Sequence, residues 1–155
     1  MNTRITIVRF LNILIVSVLA GVSLGIWIGF NPMHLTVQTY IEQQQNMLRS
    51  LRVLMVTLVF LATILTLISA FMQRKNKSTF VSLLVASGFL VACILITRFG
   101  NKPIDDVVLT WASTSVPDNW TELRDSWWSL HITRTLTEII ALCLITWTAI
   151  KKTSD

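Results

Sequence analysis

The segment Pro117–Glu138, PDNWTELRDSWWSLHITRTLTE, joins a polar helical pattern to the apolar run 139–150. At about 100° per residue, one helix through this segment gathers seven side chains within an arc of roughly 100°. We call this set the polar stripe: Trp120, Arg124, Trp127, His131, Arg134, Thr135 and Glu138. Charged groups at the mouth of a membrane helix are costly unless they face protein, water or a partner. The stripe therefore predicts either an interfacial anchor or a site inside a helix bundle, and His131 and Glu138 on one face favour the site.

The composition is that of a membrane protein. Of the 155 residues, 53% are hydrophobic and 14% are charged, whereas soluble domains carry about 25% charged residues. The net charge of +5 comes from basic residues at the ends of apolar runs, so it predicts membrane orientation and no nucleic-acid partner. Cys93 and Cys143 lie inside apolar runs without a CxxC motif, which indicates small core residues.

Four apolar runs predict an all-α bundle of four transmembrane helices in a single membrane domain, with a Trp-rich loop on the extracytoplasmic side. The predicted spans are about 10–30, 53–72, 80–97 and 132–150. The first run starts like a signal peptide, but its length and the lack of a cleavage site predict a retained helix. Within it, Gly21, Gly25 and Gly29 share one face, and we expect a neighbouring helix to pack closely against them.

The connections carry their own signals. The polar segment 34–52 predicts either a surface helix or an extension of the second span. The stretch from Arg98 to Pro103 is expected to end the third span. Pro117 suits a first helical turn, and Asn119 with Glu122 matches a capping box before the fourth span.

Basic clusters at 4–9, 74–77 and 151–152 must share one side of a four-helix protein. By the positive-inside rule that side is cytoplasmic, so both termini are expected in the cytoplasm and the chain in a plasma or inner membrane. Five of the six tryptophans then approach the outer leaflet, which favours an aromatic-lined cavity over two interfacial belts. The other polar groups expected at that end are His34, Tyr40, Asn101, His131 and Arg134.

Acid–base chemistry is the reaction type that these residues favour. His131 changes charge near neutral pH, and Arg134 one turn deeper stays charged. Glu138 is four residues from Arg134 and can pair with it, so a purely structural ion pair is the alternative. A metal site of His34 and His131 with one carboxylate is not suggested by any spacing, and no metal is expected. Neither a nucleophile elbow nor a phosphate loop is present.

One set of residues resembles a known family, the anthrone oxygenase-like family, also called domain of unknown function 1772. The set is Gly21, Gly25, Trp27, Asn31-Pro32, Asn101-x-Pro103, Trp111, Pro117, Trp120, Leu123-Arg124, Trp127, His131 and Arg134-Thr135. Asp105 departs from this pattern, which has asparagine at that position. The resemblance implies a small four-helix membrane protein that oxidises anthrone-like or other flat aromatic substrates with molecular oxygen and no evident cofactor.

In that interpretation His131 is the catalytic base and Arg134 holds the anion. Eight further residues are expected to bind the substrate, with Asn101 as a hydrogen-bond donor: Trp27, Asn31, Asn101, Trp111, Trp120, Arg124, Trp127 and Glu138. The alternative function is a non-catalytic integral membrane subunit that binds a lipid, a quinone or a partner protein. The expected partners are the lipid bilayer, a flat aromatic small molecule and a second copy of the chain.

Overall fold

The computed structural model describes residues 3–112 and 115–150. In these residues the chain forms five α-helices and no strand: α1 (Thr3–Gly29), α2 (Val37–Met72), α3 (Lys77–Ile96), α4 (Lys102–Val108) and α5 (Trp120–Ile150). A 3₁₀ turn, Pro32–His34, precedes α2, and a π-helical turn, Thr97–Asn101, joins α3 to α4. Four segments of the described chain are long and apolar enough to cross a membrane: 3–34, 37–72, 77–108 and 120–150. The prediction of an all-α, multi-pass membrane protein is confirmed.

The four long helices form a ring in which α1 and α3 each pack against both α2 and α5. Alanines and branched aliphatic side chains fill the inner part of the ring, among them Val16, Leu19, Ala62, Ala86 and Ala141. Small residues let helices approach closely inside a membrane, where dispersion rather than hydrophobic burial holds them together. Two polar contacts also join α1 to α2. The hydroxyl of Thr66 donates to Asn12 at 2.9 Å, and Arg9 donates to Gln73 at 2.8 Å.

Most of the polar segment 34–52, from Val37 onward, extends the second span and does not form a separate surface helix. Thr36 caps α2 by accepting a hydrogen bond from the Thr39 N–H, and the helix then runs unbroken to Met72. Its 36 residues exceed the ~20 needed to cross the hydrocarbon core, so its first turns stand outside it. There Tyr40 and Ile41 pack against Val108 and Trp111. We call these four residues the outer cluster, because the positive-inside rule predicts this end of the bundle on the extracytoplasmic side.

α3 itself ends at Ile96, close to the predicted end of the third span, but the helical path does not stop at Arg98–Pro103 as expected. The chain stays helical through this stretch because the π-helical turn absorbs the change in register, and Pro103 falls in the first turn of α4, where it is tolerated. A methyl group on Gly100 would lie 2.9 Å from the side chain of Leu130. The glycine therefore lets this turn approach α5. At the other end of the loop, α5 begins at Trp120, three residues after Pro117.

The prediction for the glycines of α1 was also wrong. Gly21, Gly25 and Gly29 are exposed, and a Cβ atom built on any of them meets nothing within 4 Å. The opposite face of α1 carries the buried side chains, including Asn12, Val16, Leu19, Ser23 and Ile26. Because these residues turn toward α2 and α5, the glycines must turn away from the bundle.

Candidate active site

The polar stripe of α5 faces the interior of the bundle. Arg124, Trp127, His131, Thr135 and Glu138 are all buried. The side chains of His131 and Glu138 have no exposed surface at all. A residue that anchors a helix at the lipid headgroups must reach the surface, so this burial contradicts the anchor interpretation for the central part of the stripe.

His131 makes two ring contacts and hydrogen bonds through both of its ring nitrogens. Its ring stacks on the rings of Trp127 and Trp128 at centroid distances of 5.2 and 5.7 Å. Its Nε2 lies 3.1 Å from the backbone carbonyl oxygen of Ser23 on α1. Since a carbonyl oxygen can only accept, Nε2 carries the hydrogen, and a neutral ring then has its lone pair on Nδ1.

That lone pair is directed at Arg134. The Nη2 and Nε atoms of Arg134 lie 3.1 and 3.3 Å from Nδ1 of His131, and a guanidinium can only donate. The expected ion pair between Arg134 and Glu138 is not formed. One turn of helix therefore carries a chain of hydrogen bonds from the guanidinium through the imidazole to the backbone of α1.

Glu138 lies one turn deeper, between α3 and α1. Its Oε1 accepts a hydrogen bond from the thiol of Cys93 at 3.1 Å, while its Oε2 has no hydrogen-bond partner. The buried hydroxyl of Ser23 on α1 interacts with this carboxylate, although the two groups make no hydrogen bond of normal geometry. A buried acceptor that is left unpaired costs free energy, so Oε2 is the kind of atom that a ligand or a water satisfies.

The π-helical turn and α4 contribute a second group of polar atoms. Nδ2 of Asn101 donates to the carbonyl oxygen of Trp127 at 3.0 Å, and Oδ1 of Asn101 is buried without a partner. Nε1 of Trp127 donates to Oδ1 of Asp105 at 2.7 Å. Asn101 and Asp105 are four residues apart, so both side chains lie on the same side of the α3–α4 segment.

These groups surround a cavity of about 70 Å³ in the middle of the ring. Its apolar wall comes largely from α1 and α2 and includes Leu19, Ile26, Met47, Leu51 and Met55. Its polar lining consists of Arg52, Cys93, Thr97, Asn101, Asp105, Trp127, Arg134 and Glu138. A cavity that is apolar on one wall and carries a few convergent polar groups on the other is the usual form of a small-molecule site.

The cavity is bordered on one side by α2 residues that reach the surface. Arg52 is partly exposed, and Val56, one helical turn along, is exposed. Arg52 donates to Asp106 on α4 at 2.9 Å, and Lys102 also pairs with Asp106. Arg52 and Val56 therefore bring this part of the cavity lining to the surface of the bundle.

The family assignment agrees with this geometry. A family model described as anthrone oxygenase matches residues 45–144, which is more than half of the chain. The chain belongs to the anthrone oxygenase family. The matched range contains every polar residue that lines the cavity, whereas α1 lies outside it. No curated protein and no solved structure matches the chain.

Four of the ten residues predicted for an anthrone oxygenase-like site lie on the cavity wall: Asn101, Trp127, Arg134 and Glu138. His131, the predicted base, lies behind Arg134 and does not line the cavity. In this structure His131 is therefore separated from the cavity by Arg134, and its assignment as the base stays a prediction. Asn101 was predicted as a donor, but its amide N–H group is bonded to Trp127 and it offers an acceptor instead.

The remaining predicted residues lie nearer the end of the bundle that holds the outer cluster. Trp111 belongs to the outer cluster, and Trp120 packs against it. Arg124 lies over the ring of Trp120 at 5.1 Å and donates to Asp125 at 2.7 Å. Trp27 packs beside Trp127 and Trp128, and Asn31 is exposed and caps the 3₁₀ turn. These five side chains are not on the cavity wall.

Sequence reasoning missed Cys93, Thr97, Arg52 and Asp105 as lining residues. Asp105 had a signal, because it is an acidic residue two positions after Pro103 where the family pattern has asparagine. Cys93 looked like an ordinary core residue, and only the contact with Glu138 distinguishes it. In residues 3–112 and 115–150, no three His, Cys, Asp or Glu side chains are grouped so that they could hold a metal ion.

Proposed function

We propose that the chain is a membrane-embedded oxygenase that acts on flat aromatic substrates of the anthrone type. The observation that carries the proposal is the cavity inside the bundle on which Arg134, Asn101, Asp105 and Glu138 converge, in a chain of the anthrone oxygenase family. Charged and polar groups inside a membrane bundle are expensive, which is why they mark functional sites.

The chemistry asks for a base and for an anion holder. Removal of a proton from the activated methylene of an anthrone gives an electron-rich anion, with the charge on the carbonyl oxygen. That anion reacts with molecular oxygen, and loss of water leaves the quinone, so one oxygen atom becomes the new carbonyl and the other departs as water. A fixed positive charge beside the developing oxyanion lowers the barrier to the first step.

Arg134 is the group that we assign to the oxyanion. It lines the cavity, carries a permanent charge and is oriented by its two hydrogen bonds to His131. A preoriented donor costs little reorganisation when the charge develops. His131 then acts as a positioning residue through Arg134.

Glu138 is the group that we assign as the base. It lines the cavity, and its Oε2 makes no hydrogen bond of normal geometry, with the Ser23 hydroxyl nearby, so that atom can accept a substrate proton. The hypothesis that His131 is the base requires Arg134 to leave Nδ1 first, because the other ring nitrogen is bonded to Ser23.

A second function is favoured by the size of the cavity. About 70 Å³ is less than half of the ~150 Å³ that accommodates benzene in an engineered apolar cavity. A three-ring substrate therefore needs α2 to move away from the α3–α4 segment. A non-catalytic membrane subunit that inserts only the edge of a lipid or quinone needs no such movement.

Oxygen consumption separates the two functions. Protein in lipid nanodiscs is mixed with anthrone, and oxygen uptake and quinone absorbance are followed against empty nanodiscs. We expect the protein to accelerate both, and Arg134→Ala to lower the rate at least about tenfold. Arg98→Ala is the matched control, because Arg98 is exposed and only lies over Phe99. A wild-type rate equal to that of empty nanodiscs would overturn the oxygenase proposal and favour the subunit.

A further inference from the structure

Cys93 on α3 contacts Glu138, but the mechanism proposed above gives this cysteine no role. Its thiol donates to Oε1 of Glu138 at 3.1 Å, and both side chains line the cavity. Cys93 is only 1% exposed, and Glu138 has no exposed surface. Inside a bundle of low dielectric constant, a hydrogen bond between two such groups is not readily exchanged for one to water. The thiol therefore fixes where one oxygen of this carboxylate lies.

The second oxygen of the same carboxylate has a different environment. Oε2 of Glu138 is buried and makes no hydrogen bond of normal geometry, with the hydroxyl of Ser23 on α1 nearby. Since the two oxygens of a carboxylate turn together, a donor that holds Oε1 toward α3 also decides the direction of Oε2. A buried acceptor that lacks a full hydrogen bond is the atom that the proton of a ligand satisfies.

The charged groups around Glu138 do not hold it in this way. Arg134 lies one turn back on α5, but its Nε and Nη2 atoms are directed at His131, so it acts on the carboxylate at longer range. Arg52 on α2 and Asp105 on α4 line the same cavity, and each is bonded to another residue. In the described part of the chain, the α3 thiol is the group that donates to this carboxylate with normal geometry.

We propose that Cys93 is a positioning residue whose thiol holds Oε1 of Glu138 toward α3, so that Oε2 faces the cavity and takes the proton of the substrate. The inference rests on the proposed function, in which Glu138 is the base. The proton moves from the methylene carbon to Oε2, and the electron pair of the broken C–H bond stays on the substrate. The thiol keeps its own hydrogen, so the oxidation state of the sulfur does not change.

A hydrogen-bond donor also changes how readily a carboxylate takes up a proton. Because a donor stabilises the charged form, a stronger donor moves the titration of Glu138 to lower pH, and loss of the donor moves it to higher pH. A hydroxyl group is a stronger donor than a thiol. Cys93→Ser and Cys93→Ala should therefore displace the titration in opposite directions, each by about half a pH unit. A cysteine that only fills space would give no such pair of signs.

Infrared spectroscopy follows this titration without any substrate. The C=O band of the protonated carboxyl group is recorded against pH on the full chain in lipid nanodiscs, and Glu138→Gln identifies the band by removing it. We expect a midpoint below the wild-type value in Cys93→Ser and above it in Cys93→Ala. Cys143→Ser is the matched control, because Cys143 is exposed and should leave the midpoint unchanged.

Unchanged midpoints in both Cys93 variants, or shifts of the same sign, would overturn the proposal. Circular dichroism establishes that each variant is folded. Cys93→Ser replaces a single atom, so its shift to lower pH decides the question even if Cys93→Ala does not fold.

The kinetics of anthrone oxidation should follow the same order. The rate rises with pH as the base loses its proton, so the midpoint of the rising limb of kcat/KM should match the infrared midpoint in each variant. Loss of the orienting bond in Cys93→Ala should lower kcat about tenfold, and Cys93→Ser should restore most of it.

The two proposals fail separately. Infrared shifts of opposite sign with no oxygen uptake by the wild type would keep Cys93 as the residue that holds the carboxylate and would remove the oxygenase. Oxygen uptake with one and the same pH profile in the wild type and in both Cys93 variants would do the reverse.

Discussion

Two nitrogens of Arg134, Nη2 and Nε, point at a single atom of His131, its Nδ1, at 3.1 and 3.3 Å. Because Nε2 of the same ring is bonded to the carbonyl oxygen of Ser23, the imidazole connects the guanidinium on α5 to the backbone of α1. An imidazole that accepts from arginine is neutral. The pair therefore orients a positive charge toward the cavity without placing a second one beside it.

This relationship replaces the ion pair that helical spacing predicted. Residues 134 and 138 are four apart, which suits a salt bridge on an isolated helix. In the bundle, Glu138 turns toward Cys93 on α3, and Arg134 turns toward His131 one turn back. Contacts with two other helices decide between these rotamers, and the α5 sequence alone contains no information about them.

The glycines give a paired prediction about packing. Gly100→Leu should lower the melting temperature in detergent, because even a Cβ atom at that position lies 2.9 Å from Leu130. Overpacking costs about 1–3 kcal/mol, or roughly 2–12 °C for a chain of this size. Thermal unfolding followed by circular dichroism measures the shift.

Gly25→Leu is the matched control, since the same substitution there meets nothing within 4 Å. Its melting temperature should equal that of the wild type within about 1 °C. A larger loss for Gly25→Leu than for Gly100→Leu would contradict the packing described for α1 and the π-helical turn.

How far the sequence predicted the fold depended on the kind of signal. The four apolar runs were sufficient for the number of spans, because crossing a bilayer requires about 20 apolar residues in one stretch. The helix ends were predicted less well. Arg98–Pro103 carries residues that usually end a helix, yet a π-helical turn keeps the helix intact there.

Only part of the site was predicted, because helical periodicity shows which face a residue lies on but not what that face contacts. The periodicity of α5 identified Trp127, Arg134 and Glu138 as inward-facing, since residues on one face of a helix share an environment. The tryptophans and Arg124 at the outer end carry similar chemistry, but they pack with the outer cluster and with each other. Separating these two groups requires the tertiary arrangement of α2 and α4. The periodicity of α5 contains no information about that arrangement.

The outer cluster gives a second prediction. Tyr40 is fully buried between Trp111 and Trp120, and its hydroxyl group has no hydrogen-bond partner. Removing an unpaired buried hydroxyl costs nothing, so Tyr40→Phe should leave the free energy of unfolding unchanged or raise it by about 1 kcal/mol. Chemical denaturation of the two proteins in the same detergent measures the difference.

Tyr40→Ala serves as the contrast because it removes the ring as well. The lost packing should cost about 3–5 kcal/mol. If Tyr40→Phe were as destabilising as Tyr40→Ala, the hydroxyl would have to be bonded in the folded protein.

Topology is the third prediction. Arg9 donates to Gln73, which brings the start of α1 next to the basic turn 74–77, so two of the basic clusters lie at the same end of the bundle. By the positive-inside rule we expect this end, and both termini, in the cytoplasm. Reporters of cellular location fused after Leu109 and after Ile150 should give opposite results, with the first outside the cytoplasm. Identical results from the two fusions, or an external signal from the second, would contradict this orientation.

The last prediction distinguishes the base from the residue that orients the anion holder. Glu138→Gln keeps an oxygen for the Cys93 thiol but loses the basic carboxylate, so kcat for anthrone oxidation should fall about a hundredfold or more while KM changes little. His131→Gln keeps one acceptor for Arg134 and one donor for Ser23, so it should retain about a tenth of the wild-type rate.

The pH dependence of the rate distinguishes the two roles of His131. An amide side chain at this position does not titrate, whereas an imidazole that acts as the base does. If His131 only orients Arg134, the profile of kcat/KM in His131→Gln keeps the shape of the wild-type profile at a lower rate. His131→Phe fills the ring space and removes both hydrogen bonds, so its rate should drop further and approach that of Arg134→Ala. A His131→Gln protein as inactive as Glu138→Gln, and lacking the wild-type pH dependence, would make His131 the base and would require Arg134 to leave Nδ1 during the reaction.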